Sequence, residues 1–215
     1  MNHEKKARIA VLVSGGGTNL QALIDAEARE ELVSGTVSLV VSNISNAYAL
    51  ERARNAGIEA LTLTRGGCGG REAFEWQLHK VLLAHRIDLV ILAGFMSILS
   101  KDFTDKWLER ILNIHPSLIP SFCGEGYYGL RVHQAALDYG VKVTGATVHF
   151  VNEIPDGGRI ILQKAVDIEP RDTAETLQRR VMEQAEWVLL PQAAEIVSRE
   201  IMERKYVGPG AQGGL

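Results

Sequence analysis

The sequence predicts an α/β protein on one open sheet, mostly parallel, with helices on both faces and an antiparallel part near the C-terminus. Three observations predict it. Short apolar runs rich in β-branched residues, Ile9 to Val13, Val37 to Val41, Ile58 to Leu63 and Leu89 to Ala93, alternate with stretches of helical spacing. The first run passes straight through Gly15, Gly16 and Gly17 into such a helical stretch. Two β-rich runs, Val141 to Val151 and Arg159 to Val166, flank a loop from Asn152 to Gly158, and so suit an antiparallel hairpin.

A chain of 215 residues can bury one substantial core. One domain is expected over residues 1–205, with 206–215 as a glycine-rich, flexible tail. The formal net charge of -3 gives no footprint for nucleic acid, although a local basic pocket for a small anion remains open. Cys68 and Cys123 have neither metal-ligand spacing nor a disulfide pattern, so no metal is expected. No apolar run approaches the length of a membrane span. Ile9 to Val13 follows Lys5, Lys6 and Arg8 but is too short for a signal core. A cytoplasmic protein, monomer or homodimer, with small-molecule substrates and no membrane partner is expected.

The elements follow in order. Ile9 to Val13 reads as a central strand, and Thr18 to Ile24 as the start of a helix. Glycines there let backbone approach a ligand, and free N–H groups at a helix start favour a phosphate. Thr18 and Asn19 add side-chain donors; a plain tight turn fits the same glycines. The P-loop lysine is absent, and Leu20 stands where a dinucleotide fingerprint needs a small residue. Asn46 to Asn55 is helical and stops at Gly57. Gly66, Gly67, Gly69 and Gly70 predict a mobile loop, and Arg71 to His85 an amphipathic helix with His79 and His85 on its surface. Arg71 opens that helix, where the dipole prefers acids. It is either held for a ligand carboxylate or solvated.

After the Leu89 to Ala93 strand comes the apolar segment Gly94-Phe95-Met96-Ser97-Ile98-Leu99, placed where open α/β sheets bind ligands. It suits either an aromatic ring system or core packing. Lys101 to Arg110 returns the chain to a strand, Ile111 to His115, ended by Pro116. Asn113 and His115 are two apart and share a face of that strand. They could polarise a carbonyl together. The same residues equally suit a hydrogen-bonded Asn and a core His. Ser117 to Tyr128 is a loop, Leu130 to Tyr139 a helix ending at Gly140, and Thr173 to Glu203 one long helix or two split by Pro191.

Four stretches taken together, in order, resemble the folate-dependent glycinamide ribonucleotide formyltransferases of purine synthesis. They are Ser14-Gly15-Gly16-Gly17-Thr18-Asn19-Leu20, Leu92-Ala93-Gly94-Phe95-Met96, Asn113-Ile114-His115-Pro116-Ser117-Leu118-Ile119-Pro120, and His149-Phe150-Val151 followed by Asp156-Gly157-Gly158. The resemblance runs from about Ile9 to about Glu203 and implies a Rossmann-like sheet. It also implies formyl transfer from 10-formyltetrahydrofolate, as co-substrate, to the amine of the ribonucleotide. It makes Asn113, His115 and Asp156 the catalytic trio. Gly16, Gly17, Thr18 and Asn19 become the phosphate cradle, and Glu186 a further hold on the ribonucleotide. The folate side falls to Arg71, to Phe95, Met96, Ser97, Ile98 and Leu99, to Asn113, and to Asn152, Glu153, Ile154, Pro155 and Asp156. The chain departs from the family in a longer stretch between Pro120 and Val132, in Arg131 where shorter bacterial forms carry a His, and in Ser97 where a basic residue is common. Relatives that formylate an initiator tRNA or hydrolyse the folate carry additional domains not expected here.

The chemistry implied is acyl transfer through a tetrahedral, oxyanion-bearing intermediate. Asn113 and His115 N–H groups are expected to donate to the oxyanion. Asp156 is expected to accept the amine proton, directly or through a water, and to hold His115 protonated by raising its pKa. Cys123 has no partner fixed by the sequence and is expected to be a bystander.

Overall fold

The structure is a computed structural model and describes residues 6–206; of the tail expected over 206–215, Tyr206 is the last residue of a helix and 207–215 lie outside the described residues. Seven strands form one sheet in the order β3-β2-β1-β4-β5-β6-β7. They are β1 (Ala7–Val13), β2 (Gly35–Ser42), β3 (Glu59–Thr62), β4 (Leu89–Leu92), β5 (Ile111–His115), β6 (Val143–Phe150) and β7 (Ile160–Asp167). The first five pair in parallel, whereas β5–β6 and β6–β7 pair antiparallel. The expected sheet and hairpin are therefore both present.

Alternation along each strand divides the interior into two cores. Ile9, Val11 and Val13 of β1 join a core covered by helices α1 (Thr18–Ala28), α2 (Tyr48–Asn55), α7 (Ala174–Val181) and α8 (Trp187–Tyr206). Ala10 and Leu12 face the other way, toward α4 (Arg71–Ala84) and α5 (Lys101–Lys106), with Phe74, Leu78, Leu82 and Phe103. A parallel strand buried on both faces must be apolar at every position, and this is why β1 and β4 read as unbroken runs. β2 keeps the division by a register shift opposite Ile9 and Ala10, which leaves Val37 and Val40 in one core and Leu39 and Val41 in the other.

Three expectations change. The glycine stretch after β3 is not a plain loop. Arg65–Cys68 form a short helix, α3, because the Thr64 hydroxyl accepts from Gly67 N–H at 3.0 Å and caps it. His79 is half-buried rather than on the surface, and accepts the Trp107 indole N–H at 3.1 Å. The C-terminal helical stretch does break, but not at Pro191, which lies inside α8. The irregularity precedes it as a π-helical turn, Met182–Glu186. α6 (Leu130–Tyr139) ends, as expected, with Gly140 in a left-handed cap and packs against α7.

Candidate active site

A cleft of about 770 Å³ runs past the carboxyl ends of β4 and β5. It is lined on one side by Leu92 and the 94–99 segment and by 151–156, and on the other by Asn19, Gln178, Met182 and Glu186. Asn113 and His115 open into it between these walls. The 94–99 segment is held in place by a small polar relay. Ser14 donates to Asn43 Oδ1 at 2.7 Å, Asn43 donates to the Ser97 hydroxyl at 2.9 Å, and Met96 N–H donates to the Ser14 hydroxyl at 2.8 Å. Met96 and Ile98 are left 60% and 57% exposed, an apolar rim suited to a flat ring system.

Asn113 and His149 are direct cross-strand partners of the antiparallel β5–β6 pair, so their side chains leave the sheet on the same face. Asn113 Nδ2 lies 3.2 Å from His149 Nε2 and 3.4 Å from Asp156 Oδ1. His115 Nδ1 lies 3.4 Å from Asp156 Oδ2. The carboxylate is 13% exposed and also accepts Gly124 N–H at 2.8 Å. Asp156 itself holds a left-handed φ of 56°, which Asp tolerates better than most residues. The loop carrying it is pressed onto the end of β6, where a Cβ on Gly158 would meet the Phe150 carbonyl oxygen at 1.7 Å. Three side chains more than forty positions apart at the extremes thus meet within hydrogen-bonding range.

The electrostatics differ from the expectation in one respect. Burial lowers the His115 pKa and outweighs the two effects that raise it, the Asp156 charge and the Phe122 carbonyl; His149 lowers it further. The ring is therefore neutral near pH 7 in the free protein, not protonated. Its Nε2–H donates to the Phe122 carbonyl at 2.8 Å, since a carbonyl can only accept. Burial also pushes Asp156 up, but His149, His115 and the Gly124 N–H together hold its carboxyl below the ordinary value.

At the far end of the cleft, Glu186 is 7% exposed and accepts from Asn19 Nδ2 at 2.7 Å. Burial raises its pKa, against a smaller lowering by Asn19. The π turn widens the helix at this point, a feature frequent at functional sites, and Glu186 is turned inward from its last position. Gly17 caps α1 at φ 74°, and a Cβ there would sit 2.6 Å from Ala49 Cβ. Gly16 and Gly17 do not line the cleft; Thr18 lines a smaller recess of about 260 Å³ with Gln21, Arg52 and Trp187. Arg71 does not line the cleft either, and pairs with Glu75 Oε1 at 3.2 Å. Among the described residues no group of three or more His, Cys, Asp and Glu side chains is arranged to hold a metal ion.

Sequence reasoning gave no role to His149, Gln178, Met182 or the 124–129 segment, all of which line the cleft. His149 had a signal, because the predicted hairpin partner of the Asn113 strand carries it. The rest depend on loop and helix geometry.

The formyl transferase family profile matches residues 7–193. The chain belongs to the formyl transferase family. It is 44% identical over 176 residues to the phosphoribosylglycinamide formyltransferase of Escherichia coli K12, covering 82% of this chain and 80% of that protein. It is 46% identical over 194 residues to the trifunctional purine biosynthetic protein adenosine-3 of Bos taurus. That match covers 90% of this chain and 18% of the relative, so the chain spans about a fifth of the trifunctional protein's length. Among solved structures, glycinamide ribonucleotide transformylase 1 from Symbiobacterium toebii superposes with a TM-score of 0.85 at 42% identity, over 91% of this chain and 89% of that one. The phosphoribosylglycinamide formyltransferase from Brucella melitensis gives 0.82 at 39% identity, over 90% and 96%.

Proposed function

We propose that this formyl transferase moves a formyl group from 10-formyltetrahydrofolate to the amine of phosphoribosylglycinamide. The observation that carries the reading is the Asp156 carboxylate, 3.4 Å from His115 Nδ1 and 3.4 Å from Asn113 Nδ2, beside a cleft with an apolar 94–99 rim on one side and Asn19, Gln178 and Glu186 on the other. The folate ring system takes the 92–99 and 151–156 side, and the ribonucleotide the side of Asn19 and Glu186. Its phosphate lies toward the Gly16–Asn19 turn, where the N–H groups at the start of α1 supply partial positive charge.

The amine nitrogen attacks the formyl carbon, and the C=O electron pair moves onto oxygen. The oxyanion takes over the His115 Nε2–H from the Phe122 carbonyl and draws a hydrogen of Asn113 Nδ2. Losing one such donor costs on the order of 10²–10³ in kcat. Negative charge next to the imidazole raises its proton affinity, and Asp156 faces the Nδ1 that would be charged. Asp156 accepts the proton lost by the attacking amine, directly or through a water. The intermediate then collapses by breaking the carbon–nitrogen bond to the folate, whose nitrogen leaves with the proton that Asp156 took from the amine, passed on directly or through a water. We take the protein to work with small molecules alone, in the cytoplasm, as a monomer or homodimer. Among the described residues no helix is long and apolar enough to cross a membrane.

The test is incubation with both substrates while deformylated folate and formylated amine are measured together. Equal amounts of the two products are expected. Folate product without formylated amine would mean hydrolysis and would contradict the proposal.

A further inference from the structure

The 124–129 segment contributes six consecutive residues to the cleft, and two of them, Tyr127 and Tyr128, are large aromatics left 39% and 45% exposed. The loop that carries them is fixed at both ends. On one side the Phe122 carbonyl accepts from His115, and Gly124 N–H donates to Asp156. On the other, Gly129 leads into α6, which packs against α7, the helix that carries Gln178 and runs into Met182 and Glu186. The two tyrosines therefore sit on a loop tied at one end to the reacting groups and at the other, through α6, to the helix that carries Gln178.

Both rings are braced before any ligand arrives. The Tyr127 ring packs at a tilt on Phe122, 6.4 Å between centroids, and the Arg131 guanidinium covers one face of Tyr128 at 4.9 Å. Bracing reduces the entropy lost when a ring is used for binding. An aromatic face with a phenol hydroxyl at its end suits a sugar, which offers C–H groups on one side and hydroxyls around its edge. Among the described residues no lysine or arginine lines this cleft, while Glu125, Glu153, Asp156 and Glu186 do. A neutral sugar edge can be held there by ring contact and hydrogen bonds without a cation.

We infer that Tyr127 and Tyr128 determine acceptor specificity by holding the pentose of the acceptor, a reading that rests on the assigned reaction. The experiment uses the full chain with Tyr127→Ala, Tyr128→Ala and Tyr128→Phe, each checked for an unchanged melting curve. Both alanine variants should raise the acceptor KM about tenfold, the scale of one aromatic contact. The folate KM should stay within about twofold. Ribose 5-phosphate, used as a competitive probe, should weaken about tenfold in the same variants, and Tyr128→Phe separates the ring from its hydroxyl. A folate KM that rises with or instead of the acceptor KM would overturn the inference, as would an unmoved acceptor KM. Absence of transfer by the unaltered protein would remove the assigned reaction as well; transfer with unmoved acceptor constants removes this inference alone.

Discussion

At the scale of single residues, the site works by burying groups that water would otherwise keep charged or mobile. His115→Ala should lower transfer by about 10²–10³ and Asp156→Asn by about 10²–10⁴, with both variants folded by circular dichroism. Near-wild-type turnover in either would discard the trio. His133 offers a separate check on the electrostatics. It is 1% exposed, with neither ring nitrogen bonded among the described residues, and its pKa is pushed down to about 4 by burial and by His115. A base with a lowered folded pKa binds fewer protons folded than unfolded. Its contribution is intact above the unfolded value near 6.5 and is lost as pH falls toward 4. The cost on acidification over that window is about 3 kcal/mol. Glu186, raised by burial, acts with opposite sign, so the informative quantity is a difference. Chemical denaturation of the unaltered protein and of His133→Gln from pH 7 to 4.5 should show a shallower decline in the variant. Parallel declines would contradict the assignment.

At the scale of elements, the glycine turn before α1 shows how a local rule and a packing rule coincide. Gly17 needs a left-handed backbone and also has Ala49 of α2 against it. Gly17→Ala should raise the acceptor KM several-fold and leave the folate KM near its original value. Adding Ala49→Gly should recover part of the loss, because it removes the 2.6 Å contact with the Ala49 Cβ but neither the 2.9 Å contact with its Cα nor the backbone strain of about 1 kcal/mol. No recovery would mean that strain alone matters. The π turn teaches the reverse lesson. Hydrophobic periodicity showed one or two helices between Thr173 and Glu203, and Pro191 was the obvious place to divide them. The actual irregularity at Met182–Glu186 contains neither Pro nor Gly, so composition carries no mark of it. It follows from the need to turn Glu186 toward Asn19 while both flanking helices keep their faces on the same core. The cap on α3 was legible in principle from Thr64, but four glycines in six positions masked it.

At the scale of the molecule, the parallel strands and the hairpin followed from patterning, because a sheet buried on both faces leaves an unambiguous apolar signature; the spatial order of the strands did not. The Asn113 and His115 pairing on one strand face followed from period two. What the sequence withheld was the balance of forces around those residues. The family resemblance supplied a carboxylate for His115 but not the depth of burial, and burial set the sign of the pKa shift. Arg71 was similarly opaque, since its Glu75 partner one turn on offers an ordinary helix pair. The cleft itself can be tested through the stability of the whole chain. A ligand at one hundred times its Kd adds about 2.7 kcal/mol to unfolding. Acceptor or folate at that level should raise the melting temperature by roughly 5–10 °C. A folate analogue that leaves the melting curve unmoved at any concentration would contradict the apolar 94–99 rim as its seat.

The sheet is roofed on both sides, and the cleft lies along its carboxyl edge. If the proposed donor and acceptor both enter across that edge, they share a doorway. Whichever molecule lodges further in has to arrive first, and its product has to depart last. The queue would show itself in product inhibition: the last product to leave competes with the first substrate to enter, and with no other.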